Sequence, residues 1–231
     1  MIRFDRLCTH GPLTIDALPG QAQTLVISFA SIGQDPARPP SPEFVGTATD
    51  QGRPALFVSD ESRSWGKVPG LIGALGAAID SVVSRQPITQ IIALGQSMGG
   101  AAALVAAAAL PIDLVLAVGP QSHLGPAELR WQPWAARLPR NLAPASSPAP
   151  GQHWTLMHGL ADDRQQALGF APAPGLDHIL FPGLSHSALC PHLKQRGVLK
   201  GLLAAAIDRD RRRLLRIAAS AGGHLRAKLG V

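Results

Sequence analysis

The chain has 231 residues, 46% of them apolar and 16% charged, which suits one well-buried core and argues against intrinsic disorder. The formal charge of +6 invites a nucleic-acid reading, yet seven cations against two acids between Asp208 and Val231 supply +5 of it, so the body is nearly neutral and no nucleic-acid partner is expected. Two cysteines, Cys8 and Cys190, are too few for a disulfide framework, residues 1–6 lack a secretory apolar run, and the alanine-rich stretch 101–110 falls well short of the roughly 20 residues of a membrane span, so a reduced, cytoplasmic setting is expected.

In chain order, residues 1–23 offer one or two antiparallel edge strands. Apolar runs at 24–29, 55–58, 91–94, 114–118, 154–157 and 178–181 then read as buried parallel strands. Helix-like stretches at 70–84, 98–110 and 188–207 lie between or after them. This alternation predicts an α/β fold, a mostly parallel central sheet with helices on both faces. Two segments break the rhythm, the Pro- and Gly-rich 31–53 and the stretch 121–152, which holds Trp131 and Trp134. Both follow strands, at the carboxyl edge where open α/β sheets place their sites, and the second reads as a minimal lid or pocket wall. Residues 1–207 form the expected catalytic domain, and 208–231 a basic helical tail packed on or extending from it.

The pentapeptide Gly95-Gln96-Ser97-Met98-Gly99 falls between a predicted strand and a predicted helix. A serine oxygen becomes a useful nucleophile when it is held out of the backbone beside a base. A tight strand-to-helix turn does this, straining the serine and crowding positions two before and two after it, where glycine fits. The pattern alone is a weak signal in a chain with 24 glycines, and its setting gives it weight. The Lys-Ser/Thr pair of a phosphate-binding loop is missing. Two later strands run into His158-Gly159-Leu160-Ala161-Asp162-Asp163 and Pro182-Gly183-Leu184-Ser185-His186.

A serine, then an acid, then a histidine behind successive strands resembles the α/β-hydrolase superfamily, over most of residues 20–207. The resemblance implies Ser97 as nucleophile and His186 as general base, ahead of His192, His158, His153 and His123. It implies Asp162 as the acid, three residues after the glycine that ends its strand, with Asp163 the alternative; the other carboxylate would cap the helix starting near Arg164. Asp177 enters its strand instead of leaving it. For the oxyanion hole the resemblance implies the Met98 amide and a second donor from Phe29-Ala30-Ser31-Ile32, Ala30 first and Ser31 as alternative. The expected reaction is cleavage of a carboxylic ester or thioester through an acyl-enzyme, on a small-molecule, glycan or carrier-borne substrate. An acyltransferase or deacetylase using the same residues and a non-catalytic binding module are the alternatives. Gly119-Pro120-Gln121-Ser122, Arg130-Trp131 and Ser64-Trp65 also resemble segments of hydrolase-like proteins from bacterial surface-polysaccharide gene clusters.

Gln96, Gln121 and His123 are further pocket candidates, with Trp65, Trp131 and Trp134 as walls. Eight histidines raise a metal reading, but no HExxH, Cys-x-x-Cys or Asp-rich loop is present, and neither metal nor cofactor is expected. In the tail, Asp208 precedes Arg212 by four residues, offering one helical salt pair. Arg209, Arg211, Arg212, Arg213 and Arg216 otherwise form a solvated face or a docking surface for an anionic partner.

Overall fold

A computed structural model describes residues 2–33, 35, 37–124 and 147–230. Among them, nine strands form one sheet in the order β1-β2-β4-β3-β5-β6-β7-β8-β9. The six apolar segments predicted as parallel strands are found, with β3 (Thr24–Phe29), β4 (Ala55–Asp60), β5 (Gln90–Gln96), β6 (Leu114–Val118), β7 (His153–Gly159) and β8 (Leu176–Phe181) all parallel to their neighbours in that block. The N-terminal hairpin β1 (Asp5–His10) and β2 (Leu13–Leu18) adds two antiparallel strands beside β4.

Strand pleating sends alternate side chains to opposite faces, and both faces are apolar and covered. On one side Leu25, Ile27, Leu56 and Leu156 pack against α2 (Leu71–Val83) and α3 (Met98–Ala107). On the other, Val26, Phe57, Leu116 and Ile179 meet α5 (His186–Gln195), α6 (Leu199–Ile207) and α7 (Arg211–Ser220). Nine of the ten α3 residues are buried, because Gly and Ala let this helix lie close to the sheet.

Three expectations change. The stretch 188–207 is two helices, α5 and α6. Gly197 has φ +68, its N–H donates to the Lys194 carbonyl, and the Val198 N–H reaches back to Leu193. That left-handed cap ends α5 in place of letting it continue. The segment 31–53 is not all loop, since α1 (Val45–Ala48) and a 3-10 turn at Asp50–Gly52 lie inside it. The tail contributes β9 (His224–Leu225), antiparallel to β8, and α8 (Arg226–Leu229) as well as α7. Within the tail the salt pair is Arg213 with Asp208, not Arg212. Asp208 caps the end of α6 and so lies outside α7, where i,i+4 spacing would apply, while Asp210 accepts from the Arg213 N–H at the head of α7. Arg211 leaves the presumed docking face to bind the buried Asp177, which His153 also contacts. Burial alone would raise the Asp177 carboxyl, but hydrogen bonds from His153 and Arg211 outweigh it and hold it below the usual range. Cys8 and Cys190 are both free, and burial together with the nearby Glu43 charge pushes the Cys190 thiol up to about 12. No helix among the described residues is long and apolar enough to cross a membrane.

Candidate active site

The loops after β3 and β5 leave in opposite directions, toward β4 and β6, which opens a crevice at the carboxyl ends of these two strands. Ser97 stands there, between β5 and α3, with φ 51 and ψ −123. A serine held at positive φ costs on the order of 1–3 kcal/mol and persists only where its surroundings enforce it. They do so here: the Ser97 N–H donates to the Val118 carbonyl at 2.8 Å, and its carbonyl accepts from Ala101 at 3.0 Å. A methyl at Gly95 would collide with the Gly99 backbone, and one at Gly99 with the Phe29 carbonyl.

His186, the first residue of α5, places Nε2 2.9 Å from Ser97 Oγ. Its Nδ1 binds the carboxylate of Asp163, which is 1% exposed. A carboxylate can only accept, so Nδ1 carries the ring proton and Nε2 is left to accept from the serine hydroxyl. The preference for Asp162 is therefore corrected. Asp162 is exposed at the turn, and its Oδ1 accepts from the His186 backbone N–H at 2.6 Å. It caps the N-terminus of α5 together with Ser185, which accepts from Ala188. Neither carboxylate caps α4 (Arg164–Leu168), whose N-cap Asp163 makes no side-chain cap bond.

The second oxyanion donor is also corrected. The Ala30 N–H is taken by the Val58 carbonyl at 2.9 Å, because the β3–β4 ladder runs one residue beyond the strand end. The Ser31 hydroxyl donates to the Glu43 carboxylate, which leaves the Ser31 backbone N–H as the alternative second donor. Burial raises the Glu43 carboxyl above its ordinary range, against the pull of Ser31 and Gln96. The Met98 amide is in the first turn of α3, where helix geometry provides no acceptor.

A cavity of about 720 Å³ opens beside Ser97 and His186, lined among others by Ser31, Arg38, Glu43, Gln96 and Cys190. Its wall at Ile32, Asp35 and Arg38 is held by Arg63, 1% exposed, whose guanidinium donates to the carbonyls of these three residues. Of the pocket candidates, Gln96 lines this cavity. His123 is exposed and away from it, its backbone clamped by Gln166. Trp65 is fully buried and serves as no wall; its indole N–H donates to Gln121. Gln121, 1% exposed, donates to Ser97 Oγ at 3.1 Å. Trp131 and Trp134 lie outside the described residues.

Below the loop 119–121 sits a buried pair that sequence reading passed over. His158 Nε2 donates to the Pro120 carbonyl at 2.9 Å, so its Nδ1 accepts, at 2.9 Å, from His178 Nε2. Burial drives both imidazoles well below their ordinary range, His158 to about 4. Among the described residues no group of three or more His, Cys, Asp or Glu is arranged to hold a metal ion.

No protein-family model and no curated protein sequence matches the chain. Solved structures do. The capsule O-acetyltransferase of Neisseria meningitidis serogroup A superposes with TM-score 0.55 at 11% identity, over 83% of this chain and 93% of its own. An α/β serine hydrolase without lid from Xanthomonas campestris gives 0.53 at 18% identity, over 85% and 92%. An α/β serine hydrolase homologue from Coxiella burnetii gives 0.54 at 14%, over 85% and 95%. At such identities the likeness is one of architecture, and the chain has the α/β-hydrolase fold.

Proposed function

We propose that this protein is a serine acyl hydrolase in which Ser97, His186 and Asp163 form the catalytic relay. The observation that carries this reading is the unbroken chain of contacts from the Asp163 carboxylate through the His186 ring to Ser97 Oγ, on a serine whose backbone is held in a strained turn. In the reaction, Ser97 Oγ attacks an ester or thioester carbonyl as its proton passes to His186 Nε2. Asp163 stabilises the imidazolium, and the Met98 amide donates to the developing oxyanion. His186 then returns the proton to the leaving group, and water repeats the sequence to release the acid.

The cavity suits a substrate with a polar alcohol portion, since Ser31, Arg38, Glu43 and Gln96 line it beside the nucleophile. The same lining supports a second reading, transfer of the acyl group to a sugar hydroxyl, and the Neisseria structural neighbour is a capsule O-acetyltransferase. Incubation with a fluorophosphonate probe should label the protein once, and mass spectrometry should place the adduct on the peptide containing Ser97. An adduct elsewhere, or none, overturns the assignment. Partitioning of acetyl from p-nitrophenyl acetate between water and an added oligosaccharide separates the two readings. Acetate release that is indifferent to every acceptor leaves hydrolysis.

Gly119 offers a separate check on the relay. It has φ +59, and a methyl there would stand 3.1 Å from His186 Cε1 and Nδ1. Gly119→Ala should therefore push the ring off Ser97 and lower kcat/KM by about 10- to 100-fold. The backbone strain should add a stability loss of more than about 1 kcal/mol. Parent-like turnover of a folded Gly119→Ala protein would contradict the placement of His186.

A further inference from the structure

Gln121 is tied into the nucleophile by bonds that decide its orientation. Its Oε1 accepts from the Trp65 indole N–H at 2.8 Å, and its Nε2 donates to the Gly119 carbonyl at 3.3 Å and to Ser97 Oγ at 3.1 Å. An indole N–H only donates and a backbone carbonyl only accepts, so two independent partners fix which end of the amide is nitrogen. That nitrogen faces Ser97.

The loop carrying Gln121 is fastened at successive residues. Gly119 donates to the Met157 carbonyl at 2.6 Å, Pro120 accepts from His158, and the Ser122 N–H donates to Gln166 at 2.8 Å. On the other side Trp65 packs with Ile32, Met98 and Ala101, the residues around the head of α3. Neither Gln121 nor Trp65 is free to swing away.

We propose that Gln121, aimed by Trp65, is a positioning residue for Ser97: it occupies the serine oxygen with a donated hydrogen bond and so commits the serine's single proton to His186. The proposal rests on the reading of Ser97 as nucleophile. As the proton moves to His186 Nε2, negative charge gathers on Oγ, and the Gln121 N–H bond to it becomes charge-assisted and stronger. The amide thus favours the reacting oxygen over the resting hydroxyl, which raises kcat and leaves substrate binding alone.

The test compares the parent with Gln121→Leu, Gln121→Glu and Trp65→Phe, using fluorophosphonate labelling rates, the pH dependence of p-nitrophenyl acetate kcat/KM, and thermal unfolding to confirm folding. Gln121→Leu should acylate about 10- to 100-fold more slowly at nearly unchanged KM. Gln121→Glu keeps the shape but exchanges a donor for an ionised acceptor that favours the imidazolium. It should move the acid limb of the profile up by about one pH unit, which a packing role would not do. Trp65→Phe keeps most of the packing, loses the indole donor, and should fall between parent and Gln121→Leu with the limb in place. Folded Gln121→Glu that acylates at the parent rate with the parent profile overturns the proposal, whether or not Gln121→Leu folds. A parent that is not labelled at Ser97 overturns the nucleophile reading instead, and the proposal with it.

Discussion

Asp163→Asn should lower kcat/KM by about 10³- to 10⁴-fold, while Asp162→Asn should cost less than about fivefold. An amide at 163 presents an N–H toward His186 Nδ1 or loses the bond, and the ring then favours the tautomer with hydrogen on Nε2, which cannot take the serine proton. The Asp163 side chain is almost wholly buried, so no water stands ready to replace it. Asp162 touches His186 only through the backbone N–H, and asparagine keeps an oxygen that accepts there. Its loss should register as a few tenths of a kcal/mol at the N-terminus of α5, where a negative charge is favoured. Steady-state kinetics on p-nitrophenyl acetate with both variants decides the matter. Equal losses, or the larger loss at 162, would show that the relay runs through the other carboxylate.

Unfolding free energy should be level above about pH 7 and drop steeply as the pH falls from 6.5 toward 4. His158 has its ordinary value of 6.5 in the unfolded chain and about 4 in the folded one, because burial penalises its charged form. Between those values the unfolded state binds the extra proton, so stability rises with pH across the window and is lost as acid is added. At 1.36 kcal/mol per pKa unit, His158 alone is worth up to about 3 kcal/mol. His178, lowered chiefly by burial and then by His158 and Arg226, acts in the same direction. Protonating His158 would also break its bond from His178, since its Nδ1 could no longer accept. Urea unfolding followed by tryptophan fluorescence at pH 7.5, 6 and 5 measures this directly, independently of activity. A midpoint unchanged between pH 7.5 and 5 would refute it.

The strands were legible because β3 to β8 are largely apolar stretches of 5–7 residues buried on both faces, a pattern few other elements produce. Ser97 and His186 were legible for a related reason: each follows such a run at a turn marked by glycine. Which aspartate meets the His186 ring was not, because Asp162 and Asp163 are adjacent and only the backbone angles of the turn decide which one points inward. Helix α5 was overrun because helix-forming composition continues past Gly197, the residue that ends it. Glu43 and Arg63 escaped for a deeper reason. Polar, proline-rich stretches read as exposed loops, yet here Glu43 is half-buried against the Ser31 hydroxyl, and the Arg63 guanidinium is buried because the carbonyls it binds lie far away in sequence. Gln121 was visible as a residue leaving β6 beside the site, and what it does depends on Trp65, 56 positions earlier.

The short strand β9 ties the basic C-terminal segment to the edge of the sheet. Without it, the sheet would end on β8, whose six residues are buried at five positions, leaving a row of unpaired N–H and C=O groups. Such an edge is a template for the strand of another copy. His224 and Leu225 occupy it opposite Leu180 and Ile179, Arg211 anchors α7 to Asp177 of the same strand, and the exposed Arg209, Arg212 and Arg216 set like charges close by. The basic segment that first suggests a handle for partners also covers the middle of β8 and so shortens the edge open to another copy.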